Sequence, residues 1–250
     1  NLTATSTLDI TYGATITGNV SGASCTITGA NYGGFNPLFF TVQSGSTTAT
    51  MNNLVFSWQV SASENSALVN YGSFVLNNCS FVSDGSTSSI ENFVGEAIYN
   101  CGYLTINSGS FSNFAAGAAN CSTIYCPAPS ASLTLTGSIT GTNNTLAFIL
   151  NPSVLNIASA TLSGLGSISS TASSSEINMS GSSSLTNTGL SISEGSFTFA
   201  NSATTLSLGS GASLSLSSAA SVNTNGGTIS GTSSSASFSD SVTGIIALSG

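Results

Sequence analysis

Gly72-Ser73-Phe74-Val75-Leu76-Asn77-Asn78-Cys79-Ser80-Phe81 aligns without a gap on Gly102-Tyr103-Leu104-Thr105-Ile106-Asn107-Ser108-Gly109-Ser110-Phe111, an offset of 102 − 72 = 30. Within each copy the apolar residues alternate with polar ones at period two, the signature of a strand with one buried face. Working outward, Met51-Asn52-Asn53-Leu54-Val55-Phe56 matches Leu76-Asn77-Asn78-Cys79-Ser80-Phe81 at an offset of 76 − 51 = 25. Leu104-Thr105-Ile106 recurs as Leu133-Thr134-Leu135, and Leu190-Ser191-Ile192 followed by Phe197 repeats the Ile106-to-Phe111 spacing. Short strands recurring at such offsets predict stacked coils, an all-β parallel β-helix (β-solenoid), because each coil can bury its apolar face only against its neighbours.

In such a stack, equivalent positions lie about 4.8 Å apart along the hydrogen-bonding direction. Repeated Leu, Ile and Phe therefore predict apolar columns, and repeated Asn at turns predicts side-chain ladders. The same alternation appears in Leu8/Ile10/Tyr12, Ile177/Met179, Phe197/Phe199, Leu206/Leu208 and Leu214/Leu216. Phe114 to Ala119 is the one short stretch with helical composition. The Pro127-Ala128-Pro129 segment marks a composition shift: most aromatics and all five cysteines precede it, and a Ser/Gly/Leu-rich array follows. The expected organisation is one continuous solenoid over 1–250, with 1–17 as a first coil, cap or donated strand, aromatic and Cys-containing coils over 18–129, and leaner, shorter coils over 130–250.

The chain has no Lys, Arg or His among its 250 residues and eight acids, a formal charge of −8. Nucleic-acid binding rests on cations that neutralise phosphate, so that class is excluded. The commonest general base, the phosphate-binding lysine and imidazole metal ligands are also missing. A Ser or Cys nucleophile has no His or Lys to activate it. Pectin-degrading β-helix enzymes use Asp clusters with basic residues, and this chain has neither. The reading is a non-enzyme with no cofactor. No segment approaches the roughly 20 apolar residues of a membrane-spanning helix. Carboxylates without cationic partners lose nothing on protonation, so the fold is expected to tolerate acid.

The remaining candidates are local. Asp84, Glu91 and Glu96 form the one acidic group, a weak calcium candidate against the alternative of a solvated loop. Cys79, Cys101, Cys121 and Cys126 are disulfide candidates; with Cys25 the count is odd. The Asn78-Cys79, Asn100-Cys101 and Asn120-Cys121 pairs recur at offsets of 100 − 78 = 22 and 120 − 100 = 20, a spacing that competes with the register of 30. Cys121-x4-Cys126 is not a zinc spacing. Glycosylation sequons start at Asn1, Asn19, Asn78, Asn120, Asn143 and Asn178. Trp58, Tyr99 and Phe111 are candidates for a sugar-binding groove, with core packing as the alternative. Thr-x-Thr elements at Thr15/Thr17, Thr26/Thr28, Thr134/Thr136 and Thr186/Thr188 raise an ice-binding face. Leu8, Ile10 and Tyr12 are candidate assembly residues on the first strands.

Gly95-Glu96-Ala97-Ile98, followed by Gly102 to Phe111, resembles the repeats of polymorphic membrane proteins, found in bacterial autotransporter passengers and adhesin-like microbial surface proteins. Those repeats carry a Gly-Gly-Ala-Ile/Leu/Val motif and a Phe-x-x-Asn motif. Here Glu96 stands in place of the second Gly, and Phe111-Ser112-Asn113 is one residue short. The resemblance spans residues 50–120 and implies a right-handed parallel β-helix displayed outside the cell. Taken with the absent cations, it leads to an expected role as an extracellular, cell-surface structural protein that assembles with itself into a filament, sheath or coat. A monomeric adhesin binding glycans is the alternative, and an ice-binding solenoid the third reading.

Overall fold

The structure, a computed structural model, describes residues 2–4, 8–10, 14–18, 25–29, 39–45, 47–58, 66–85, 95–115, 121–127, 129–241 and 248–249. Every strand pairing among them is parallel, and the pairings trace three ladders that the chain visits in turn. The first ladder begins Leu8–Ile10, Phe40–Val42, Leu68–Asn70, Gly95–Asn100, Ser122–Tyr125 and Ile149–Leu150. The second begins Thr15–Thr17 and Ala49–Asn52, and the third Leu2–Ala4, Cys25–Gly29 and Leu54–Trp58. Strands Ser73–Ser83, Tyr103–Ser112 and Ser132–Thr142 each run through the second ladder and into the third. The chain is a parallel β-solenoid with no helix among the described residues.

The predicted registers are those of the structure. Leu76 faces Ile106 (106 − 76 = 30), Met51 faces Leu76, and Leu104 faces Leu133. Past residue 130 the coils shorten: Ile157 faces Met179 (179 − 157 = 22) and Leu162 faces Leu185 (185 − 162 = 23). One proposed equivalence is corrected. Phe197 belongs to the column of Ile177 in the second ladder, while Leu190 and Ile192 lie in the first ladder, Leu190 between Ile168 and Leu214 and Ile192 between Ser170 and Leu216. In these shorter coils the chain reaches a different ladder after the same stretch of sequence, so equal spacing no longer marks an equal place.

Inward residues form the columns that period two requires. Leu76, Ile106, Leu135, Ile157, Met179 and Phe199 succeed one another rung by rung, each buried. In the third ladder Phe56, Phe81 and Phe111 stack with ring centroids 5.0 Å apart at each step, the second pair within 6° of parallel. Phe148 closes the end of that stack edge-on, 5.0 Å from Phe111. Fully burying such a ring is worth about 1.5–3 kcal/mol before cavity effects, so these columns dominate stability.

In six successive coils the bend from the second to the third ladder is made by one left-handed residue: Asn53 (φ 55°), Asn78 (51°), Ser108 (61°), Gly137 (70°), Ser159 (50°) and Gly181 (63°). Asn and Gly tolerate this conformation best, which places the recurring Asn-Asn at the corner. The amides there bond between coils. Asn107 Nδ2 donates to Asn77 Oδ1 at 2.8 Å, Asn77 Nδ2 to Asn52 Oδ1 at 2.7 Å, and Asn52 Nδ2 to Thr17 Oγ1 at 3.1 Å.

Candidate functional site

At the turn from the first ladder to the second, a buried amide pair fixes the backbone. Asn70 and Asn100, both fully buried, are joined by Asn70 Nδ2 donating to Asn100 Oδ1 at 2.8 Å. Each Oδ1 also accepts the backbone N–H two residues on, from Gly72 at 3.1 Å and Gly102 at 3.3 Å. Asn100 Nδ2 donates onward to Ser132 O at 3.1 Å. Asn-x-Gly is the local signal for this Asx-type turn. The two turns stack so closely that a Cβ on Gly102 would lie 2.1 Å from Gly72 O. Asn70-Tyr71-Gly72 and Asn100-Cys101-Gly102 were therefore readable in the sequence, immediately upstream of the decisive repeat.

This corner carries tyrosines outward. Tyr103 and Tyr71, 65% and 46% exposed, are the exposed large hydrophobic residues of the described chain. The outward column of the first ladder beside them reads Val69, Tyr99, Tyr125 and Leu150, all half-buried. The Tyr99 and Tyr125 rings lie 5.8 Å apart, tilted by 58°. Burial pushes the Tyr99 phenol up to about 12, with contributions from the hydrogen-bonded Cys101 thiol and from Tyr71 and Tyr125. Burial likewise raises Tyr125. The phenols therefore stay neutral through the physiological range. Below Tyr125 the strip opens into a groove of about 310 Å³ bounded by Pro127, Pro129, Leu150 and Pro152.

The sequence candidates are dispersed. No disulfide joins Cys79, Cys101, Cys121 and Cys126. The recurring Asn-Cys pairs do not stack: Cys79 faces Gly109 in the third ladder, Cys101 sits at the tyrosine corner, and Cys121 precedes a first-ladder strand. The register of 30 prevails because it aligns whole apolar columns, whereas the pairs align only themselves. Burial raises the Cys126 thiol to about 12 and raises Cys79, leaving both protonated. Cys25 contributes its backbone to Cys25–Gly29.

Asp84 is exposed and Glu96 is buried at 3% exposure; Glu91 lies outside the described residues. Neither Glu96 carboxylate oxygen has a hydrogen-bond partner, and neither does the buried Oγ1 of Thr123. Glu96 lies in an irregular stretch where Gly95 to Ile98 spans the partner's Ser122 to Ile124. Desolvation, then the charge of Asp84, raises its carboxyl to about 8. No group of three or more His, Cys, Asp or Glu side chains able to hold a metal occurs among the described residues.

Asn78 and Asn143 are exposed, at left-handed positions, and Asn178 is half-buried within a strand, donating to Asn156 Oδ1 at 3.3 Å. Asn1, Asn19 and Asn120 lie outside the described residues. Leu8 and Ile10 belong to Leu8–Ile10, which pairs with Phe40–Val42 of the same chain, and Ile10 is buried in the core. Tyr12 lies outside the described residues. Of the aromatic candidates, Phe111 is a core residue, Tyr99 lies on the outer strip, and the Trp58 side chain lies outside the described residues. The threonines do not keep rank: after Thr15/Thr17 the outward pairs read Thr50/Asn52, Val75/Asn77, Thr105/Asn107, Thr134/Thr136 and Asn156/Ala158.

Among the described residues these features define a parallel β-solenoid with an apolar interior, amide ladders at its corners and an aromatic strip on its surface. No family model, curated protein or solved structure matches the chain. No helix among the described residues is long and apolar enough to cross a membrane.

Proposed function

We propose that the chain is a structural protein of the extracellular surface, a stiff rod that assembles with itself into a filament, sheath or coat. The observation that carries this reading is the bonding between successive coils by side chains as well as backbone. The Thr17–Asn52–Asn77–Asn107 ladder is joined by Asn78 to Asn53 at 3.0 Å, Ser110 to Ser80 at 2.8 Å and Ser184 to Thr161 at 3.3 Å. Such cross-links resist bending and sliding of one coil over the next, and they use neutral groups indifferent to salt and acid. A parallel solenoid can also grow end to end, because a strand edge left unpaired at a terminal coil pairs readily with a further copy.

Negative-stain microscopy and fibre diffraction of native material test the proposal. Filaments with a reflection near about 4.8 Å along their axis are the expected result. Isolated particles that remain monomeric in sedimentation at high concentration would refute assembly.

A further inference from the structure

We propose that the Tyr71–Tyr103 corner and the adjoining groove over Tyr125 and Leu150 form a binding site for a neutral glycan chain. The inference goes beyond the structural reading above and does not rest on it.

The tyrosines are not there to complete the core. The interior at this level is already filled by Leu68, Ile98, Ile124 and the Phe81–Phe111 stack. At the positions equivalent to Tyr103 on the neighbouring coils stand Ser73 and Ser132, the ordinary surface residues of this chain. Exposed phenol rings placed where serine suffices offer apolar faces with polar tips, suited to the C–H faces and hydroxyls of sugar rings. Tyrosine also gives large contact area for the ordering of only two side-chain torsions. The Asn70–Asn100 pair fixes the backbone from which both rings project.

The occupant's chemistry follows from charge and hydrogen bonding. The chain has no cation and a formal charge of −8, so acidic polysaccharides, nucleic acid and anionic lipid surfaces are repelled. The strip itself is uncharged at neutral pH because its phenols are held protonated. A peptide adding itself as a strand would need a free backbone edge. The backbone here is paired on both sides, as Leu68–Asn70, Gly95–Asn100, Ser122–Tyr125 and Ile149–Leu150 follow one another. What remains on offer is ring faces, the groove at Tyr125 and a hydroxyl and amide border at Asn151, Ser153 and Ser174. The Val69–Tyr99–Tyr125–Leu150 column runs along the stacking direction, so the ligand is a chain of sugars laid lengthwise rather than a single residue.

Affinity electrophoresis of the full chain through gels containing soluble β-glucan, mannan or xylan, with polygalacturonate as the acidic control, tests the site. At least one neutral polymer is expected to retard the native protein, with no retardation by polygalacturonate. Tyr71→Ser and Tyr103→Ser should each weaken retention about three- to tenfold, the loss of one aromatic contact, with unchanged circular dichroism. The double variant should run as though no polymer were present. Lack of retardation by every neutral polymer, equal retention of the double variant, stronger retention on polygalacturonate, or a proline-rich peptide displacing the glycan would each overturn the proposal.

Discussion

Replacing Glu96 with Gln should stabilise the protein in a manner set by pH. The carboxyl titrates near 4.5 when exposed and near 8 in the fold. Between those values the folded chain holds a proton that the unfolded chain has released, so stability falls as pH rises through this window. Below about pH 4.5 both states are protonated and the side chain costs nothing through ionisation. At pH 7 the penalty is about 1.36 × (7 − 4.5), or about 3 kcal/mol, and above pH 8 it levels off at about 5 kcal/mol. Glutamine has the same shape and no charge, and since neither Glu96 oxygen has a hydrogen-bond partner, the exchange breaks no bond. Denaturant unfolding followed by circular dichroism at pH 4, 7 and 9 should show a difference near zero, then about 3, then about 5 kcal/mol in favour of Glu96→Gln. Asp84→Asn should recover the smaller, Coulombic part of that gain. A variant advantage independent of pH, or a Glu96→Gln protein less stable at pH 7, would refute the buried, unpaired carboxyl.

Removing the buried corner amide should be costly. Asn100→Ala strips partners from Asn70 Nδ2, Gly102 N–H and Ser132 O together, and a loss of about 2–4 kcal/mol is expected in denaturant unfolding at pH 4. Gly102→Ala would drive a Cβ to 2.1 Å from Gly72 O and should lower the melting temperature sharply. Gly231→Ala, with nothing within 4 Å, should change stability by no more than about 0.5 kcal/mol.

The decisive repeat was legible because parallel, in-register stacking places like on like: Phe81 over Phe56 and under Phe111, Asn77 between Asn52 and Asn107. Legibility failed where a motif kept its spacing but changed its place on the coil. Ile192-to-Phe197 repeats Ile106-to-Phe111, yet the shorter C-terminal coil carries those residues from the first ladder to the second instead of from the second to the third. The tyrosine corner was hidden for a related reason. Tyr71 and Tyr103 stand at an offset of 103 − 71 = 32, out of step with the register of 30, and only the turn fixed by Asn70 and Asn100 brings them to one edge. Glu96 reads as a solvated acid beside Asp84 and Glu91, since nothing local announces that an irregular pairing turns it inward.

The composition itself follows from the stacking. Each outward position meets its counterpart about 4.8 Å away on the coils before and after, so a charge placed at a repeated position meets itself. Like charges at that distance repel by about 1 kcal/mol per pair even in bulk water, and the cost grows with every coil added. Amides and hydroxyls reverse the sign, because each can donate to one neighbour and accept from the other, as Asn77 does between Asn52 and Asn107. The few carboxylates in described strands obey the same constraint. Asp9 faces Thr41, Glu176 faces Val154 and Ser196, Asp240 faces Leu216, and Glu96 falls in the register shift between Gly95 and Ile98, so no acid is the register partner of another. With no Lys or Arg in the chain, opposite charges cannot alternate along a column, and polar uncharged ladders are the arrangement that lets this solenoid lengthen without accumulating repulsion.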